Sequence, residues 1–111
     1  MTLETLDKTK FGKREAVASL YRLLANPVRL RILELLENRS MRFSELMREL
    51  AVNPKVLSNY LKLLMEFRLV AKSYPHNVYV LTPLGRRILR EQIEAIYDYL
   101  HLFVKPVVRE E

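Results

Sequence analysis

Apolar side chains recur at helical spacing from Lys13 onward, with Val17, Leu20, Tyr21 and Leu24 on one stripe. That period predicts a helix ending near Ala25. Asn26-Pro27 restarts the chain. Asparagine is a good N-cap, and proline suits the first helical position because its missing N–H would have no intrahelical partner there. Val28, Leu30, Ile32, Leu33, Leu35 and Leu36 then cover most of the next helix, as in a central helix, before it fades at Glu37-Asn38-Arg39. Met41-Arg42-Phe43 is long enough only for a stub strand. Ser44 is placed to cap the segment SELMREL, whose Leu46, Met47 and Leu50 face inward.

Ala51-Val52 makes a short connection, and Asn53-Pro54 repeats the start signal. Two helices joined by so few residues, the second freshly capped, form a helix-turn-helix pattern. Residues 69–74 and 78–81 are β-rich and flank Pro75-His76-Asn77, which predicts a hairpin. Thr82-Pro83 is a third cap-plus-proline start. It opens a last helix from about residue 84 to 103, stopped by Pro106. The expected architecture is mainly α with a small β-hairpin, in the order helix, helix, stub strand, helix, helix, hairpin, helix. Residues 1–12 lack a clean period and read as a loose arm. Residues 13–83 form the helix-turn-helix domain, and 84–105 form a helix that packs on it and dimerises.

Length and composition narrow the chemistry. At 111 residues the chain is one domain with enough interior to need no staples. It has no cysteine, which removes disulfides, thiolate metal sites and cysteine nucleophiles. Its two glycines, Gly12 and Gly85, cannot build a phosphate-cradling loop. Neither His76 nor His101 sits in a catalytic motif. No enzyme, cofactor or metal is expected. The longest apolar run, Val78-Tyr79-Val80-Leu81, is far short of the roughly 20 residues a membrane span needs. MTLETLDKTK carries acids and no apolar core, so it is no secretory signal, and a cytoplasmic protein is expected.

Charge adds a partner. The net charge is +6, and residues 1–85 carry all of it, because the basic and acidic residues of 86–111 balance. A basic body with a neutral tail favours a polyanion for the body and another role for the tail.

The segment NPKVLSNYLKLL gives that polyanion a face. Val56, Leu57, Tyr60, Leu61, Leu63 and Leu64 share one helical arc. Lys55, Ser58, Asn59 and Lys62 fill the opposite arc, which holds no acid. Lysine can donate to guanine O6 and N7, asparagine can pair with adenine, and serine suits a base edge or a phosphate. The second helix of a helix-turn-helix presents such residues to a major groove. Arg42, Ser44, Lys72 and His76 are assigned more loosely to backbone contacts. The plainer alternative is a solvated polar face.

On the last helix Leu89, Ile93, Ile96, Leu100 and Phe103 step by four and three, and Tyr97 and Val104 widen the stripe. That is the seam spacing of paired helices. We read Leu89, Ile93, Ile96, Tyr97, Leu100 and Phe103 as a homodimer interface, helped by Val17, Leu20 and Leu24. Intramolecular packing is the competing explanation.

LLANPVRLRILELL, SELMRELAVNPKVLSNYLKLLMEFRLV and VYVLTPLGRRIL together resemble the ArsR-type winged-helix transcriptional regulators of bacteria and archaea. The resemblance covers about residues 16–90. It implies a homodimeric repressor on double-stranded operator DNA, with a recognition helix at 53–67 and a wing at 69–81. Two departures stand out. Metal-sensing members carry a cysteine box where this chain has Glu45-Leu46-Met47-Arg48, or a His and acid set on the last helix, where only Asp98 and His101 are found. The family also has glycine where this chain has Ala51 and Arg68. Either those turns differ here, or the core offsets roughly 1 kcal/mol of left-handed strain at each. Two other functions fit the same residues: an architectural, weakly specific DNA-binding protein, and a winged helix used only for protein contacts.

Overall fold

A computed structural model describes residues 12–104. Apart from Gly12, the arm expected at 1–12 lies outside that range, as do Lys105 and the helix stop at Pro106. Helices α1 (Lys13–Leu24) and α2 (Pro27–Asn38) are followed by strand β1 (Met41–Arg42) and helices α3 (Phe43–Leu50) and α4 (Pro54–Glu66). Strands β2 (Val70–Ser73) and β3 (Val78–Leu81) come next. The chain then runs through α5 (Pro83–Arg87), a π-helical turn (Ile88–Ile93) and α6 (Glu94–Phe103). The stub strand pairs antiparallel with β3, so the sheet order is β1-β3-β2. Residue Arg42 lies opposite Val78, which lies opposite Ser73 on the other side.

All three X-Pro starts open helices. Asn26 Oδ1 accepts from the Val28 and Arg29 N–H groups at 2.9 and 3.0 Å. Asn53 Oδ1 accepts from Val56 N–H at 2.9 Å, and Thr82 Oγ1 accepts from Gly85 N–H at 3.0 Å. Each bond satisfies an amide that the first helical turn leaves unpaired. The start of α3 differs from expectation. Ser44 lies inside the first turn rather than capping it, because the Glu45 carboxylate reaches back to accept from Arg42 N–H at 2.9 Å. The same carboxylate accepts from Arg39 Nη1 at 3.0 Å. The Arg42 amide first, and Arg39 second, hold the Glu45 carboxyl below its ordinary value.

The core is aliphatic, with Ile32, Leu33, Leu46, Leu57, Leu61 and Leu64 sealed among the helices and Met41, Val70 and Tyr79 sealing the sheet side. Val28 and Leu30 are only partly buried, so α2 is central over its second half.

Both turns that the sequence left open are left-handed, with φ 53° at Ala51 and 61° at Arg68. At Arg68 the chain forms a two-bond helix terminator. Arg68 N–H donates to Met65 O at 3.0 Å, and Leu69 N–H donates to Leu64 O at 3.0 Å. The buried Leu69 and Leu64 supply the accompanying apolar contact. At Ala51 a single bond to Met47 O, 2.9 Å, does the same work. The fold thus keeps the glycine conformation without the glycine. Ala51→Gly is expected to raise stability by up to about 1 kcal/mol, the left-handed strain less the backbone entropy that glycine loses. A urea midpoint that rises with an unchanged slope would confirm it.

The last helix also departs from expectation. It begins at Pro83 and widens into the π turn at Ile88–Ile93, where an α-helix was expected throughout. A π turn rotates less per residue, so the positions on its two sides fall out of simple α phase. Leu89, expected at the dimer interface, is 3% exposed and belongs to the molecule's own core. Glu37 of α2 pairs with Arg86 at 3.9 Å and Arg90 at 3.6 Å, tying this stretch to the body. Beyond it, α6 contains no buried residue.

Candidate nucleic-acid interface

Helix α4 presents the two arcs its sequence implies. Leu57, Leu61 and Leu64 are buried, while Val56, Tyr60, Leu63 and Met65 line the margin. Lys55, Ser58, Asn59 and Lys62 are all exposed. Asn53 and Pro54 start α4 cleanly, with Lys55, Ser58 and Asn59 in its first two turns and Lys62 in the third. No acid occupies the first turn of α4. Such an end attracts phosphate through its amides and helix dipole.

The loosely assigned residues sit on two other elements. Arg42 and Ser44 are exposed where β1 passes into α3. Lys72 is exposed on β2, opposite Tyr79. Its ammonium lies 5.8 Å from the Tyr74 ring and 5.5 Å from the Tyr79 ring, which restricts the otherwise flexible side chain. His76 is exposed at the hairpin turn, beside Asn77 with φ 53°. Tyr74, 71% exposed on the same hairpin, was not singled out from sequence. Its signal was an aromatic next to Pro75 in a polar turn.

Sequence reasoning also missed how α4 is held. Asn26 uses its Oδ1 to cap α2, so its Nδ2 donates elsewhere, to Tyr60 Oη at 3.1 Å. Arg29 lies 5.0 Å from the centre of the Tyr60 ring. Its Nε donates to Leu23 O at 2.6 Å and its Nη2 to Arg22 O at 3.0 Å, satisfying carbonyls at the end of α1. A half-buried tyrosine hydroxyl needs a polar partner, and that need was the available signal.

The expected dimer residues beyond Leu89 lie on α6 and the turn before it. Ile93 and Leu100 are partly buried, and Ile96, Tyr97 and Phe103 are exposed, Phe103 at 75%. Ile93, Ile96, Tyr97 and Leu100 face Tyr21 and Leu24 of α1 across a groove of about 420 Å³. His101 stacks on Tyr97 at 6.0 Å. Among the described residues no three His, Asp or Glu side chains converge as a metal site.

A helix-turn-helix at α3–α4, followed by the β2–β3 wing and a helix returning over the core, defines a winged helix-turn-helix domain. Residues 26–72 match the family described as bacterial regulatory protein, arsR family. That stretch is similar to the ArsR family, and the matched family and the fold are those of DNA-binding transcriptional regulators, not enzymes. The crystal structure of Rv0081 from Mycobacterium tuberculosis is similar, with 26% identity and TM-score 0.71 over 82% of this chain and 95% of that one. HlyU from Vibrio cholerae is 27% identical, with TM-score 0.61 over 78% of this chain and 98% of that one. Mb0332 from Mycobacterium bovis, described as a homodimeric winged helix-turn-helix DNA-binding domain, shares the fold at 22% identity, with TM-score 0.64 over 84% of this chain and 94% of that one. No curated protein matches the sequence. Among the described residues no helix is long and apolar enough to cross a membrane.

Proposed function

We propose that the chain is a homodimeric, sequence-specific repressor that binds double-stranded DNA in the cytoplasm. The observation that carries this reading is the outward arc of α4, where Lys55, Ser58, Asn59 and Lys62 are all exposed on a rigid, capped helix. These side chains enter a major groove. Lys72 and His76 on the wing, and Arg42 and Ser44 at the start of α3, hold the flanking backbone. In domain terms, residues 13–83 read the duplex, and the segment from 84 onward joins two copies.

The dimer reading rests on α6. Ile96, Tyr97, Leu102 and Phe103 leave an apolar surface that a monomer would expose to water. The α1–α6 groove beside it extends the same patch. The homodimeric Mb0332 has the same fold. A two-fold axis through this surface sets two recognition helices on successive major grooves, about 34 Å apart. A dimer seated there represses by occupying duplex that other proteins need.

Selection of bound duplexes from a random pool tests the reading. The expected result is a palindromic consensus bound about 10³-fold or more tightly than random duplex, by a particle containing two chains in sedimentation. Equal binding to all duplexes would instead indicate an architectural protein. Absence of salt-sensitive binding would indicate a domain for protein contacts.

A further inference from the structure

We infer that Tyr60 is a positioning residue for sequence readout, and that Asn26 and Arg29 act through it to fix the roll of α4. This rests on the DNA-binding reading above. The inner face of α4 is held by Leu57, Leu61 and Leu64. Aliphatic burial is non-directional, so by itself it sets the depth of a helix better than its rotation. Base readout needs rotation fixed, because hydrogen bonds to base edges tolerate little misalignment. Tyr60 sits at the edge of the apolar arc, next in sequence to Asn59, and is gripped in two directions. Asn26 Nδ2 donates to its hydroxyl at 3.1 Å, and the Arg29 guanidinium lies 5.0 Å from its ring centre.

The grip has a rigid base. The Asn26 amide cannot turn over, because its Oδ1 already accepts two amides of α2. Arg29 is bound to the Leu23 and Arg22 carbonyls at the end of α1. The roll of the recognition helix is therefore referenced to the α1–α2 corner. A rotation about the α4 axis moves each side chain in proportion to its distance from that axis, so the outward-reaching Asn59 and Lys62 are swung sideways across a groove.

The test uses the full chain, the duplex selected by the wild type, and a random duplex of equal length. Tyr60→Phe removes one oxygen and leaves no cavity. Asn26→Ser keeps the cap of α2 but cannot reach Tyr60. Each is expected to weaken binding to the selected duplex about three- to tenfold, the scale of one hydrogen bond, and to leave random-duplex binding unchanged. Together they should do no more than either alone, the mark of one shared interaction. Asn26→Asp keeps the cap and accepts a hydrogen bond from the Tyr60 hydroxyl, so it should restore discrimination. Equal loss on both duplexes, additive losses, or an unchanged ratio in Tyr60→Phe would overturn the inference. If the wild type binds no duplex at all, the functional reading fails first and this inference with it. If the wild type discriminates and Tyr60→Phe discriminates equally well, only this inference fails.

Discussion

Gly85→Ala is expected to cost about 3 kcal/mol, a large share of the roughly 5–15 kcal/mol that holds a domain folded. A Cβ at Gly85 would run into the Leu69 carbonyl oxygen and approach Leu81 Cδ1 at 2.5 Å. The first obstacle is backbone, and that backbone cannot retreat. The Leu69 carbonyl accepts from Thr82 N–H at 3.1 Å, and Leu69 N–H is committed to Leu64 O. Thr82 Oγ1 donates to the neighbouring Arg68 carbonyl at 2.6 Å. The left-handed turn after α4 and the start of α5 are thus stitched together, and only glycine fits between them. Gly12→Ala provides the contrast. Its Cβ would meet only the carboxylate end of the exposed Glu15 side chain, which can swing away. Its expected effect lies within about 0.5 kcal/mol. Urea unfolding of both variants checks the pair, and a mild Gly85→Ala would mean that the turn relaxes in a way this geometry does not allow.

The second large effect is on binding. Replacing both Lys55 and Lys62 by alanine removes two cations per chain from the proposed DNA face, four in the proposed dimer. Affinity for the selected duplex is expected to fall roughly a hundredfold to a thousandfold at physiological salt. The salt dependence apportions the loss. A lysine on a phosphate lowers the slope of log K against log salt by about 0.9 and weakens all sequences alike. A lysine on a guanine leaves the slope nearly intact and relaxes the preference at one base pair. Both side chains are exposed, so circular dichroism should not change. Unchanged affinity in the double variant would remove this face from the proposed interface.

The helical plan was legible because local chemistry and long-range packing agree in this chain. Asn26-Pro27, Asn53-Pro54 and Thr82-Pro83 each start a helix by a side-chain cap, and the apolar arc of α4 matches its buried face. Ala51 and Arg68 could be flagged as turn positions, but whether they would bend like glycine depended on bonds to Met47, Met65 and Leu64. Ser44 misled because its residue type caps helices well, while the outcome was set by Glu45 reaching back to Arg42. Leu89 misled because even spacing assumes even rotation, and the π turn broke that assumption. The Asn26–Tyr60 bond joins residues 34 apart, a distance at which no local pattern speaks. The outward placement of Lys55, Ser58, Asn59 and Lys62 was legible for the converse reason: amphipathicity names the solvent side of a helix without needing its partners.

The π turn at Ile88–Ile93 has an evolutionary corollary. It holds a surplus residue between the helix-turn-helix body and α6. Deleting one residue there and restoring a plain α-helix would leave the following helix close to its present orientation, because the wide turn already absorbs that residue. A single codon lost or gained at this turn can therefore leave the relative aim of the body and α6 nearly unchanged.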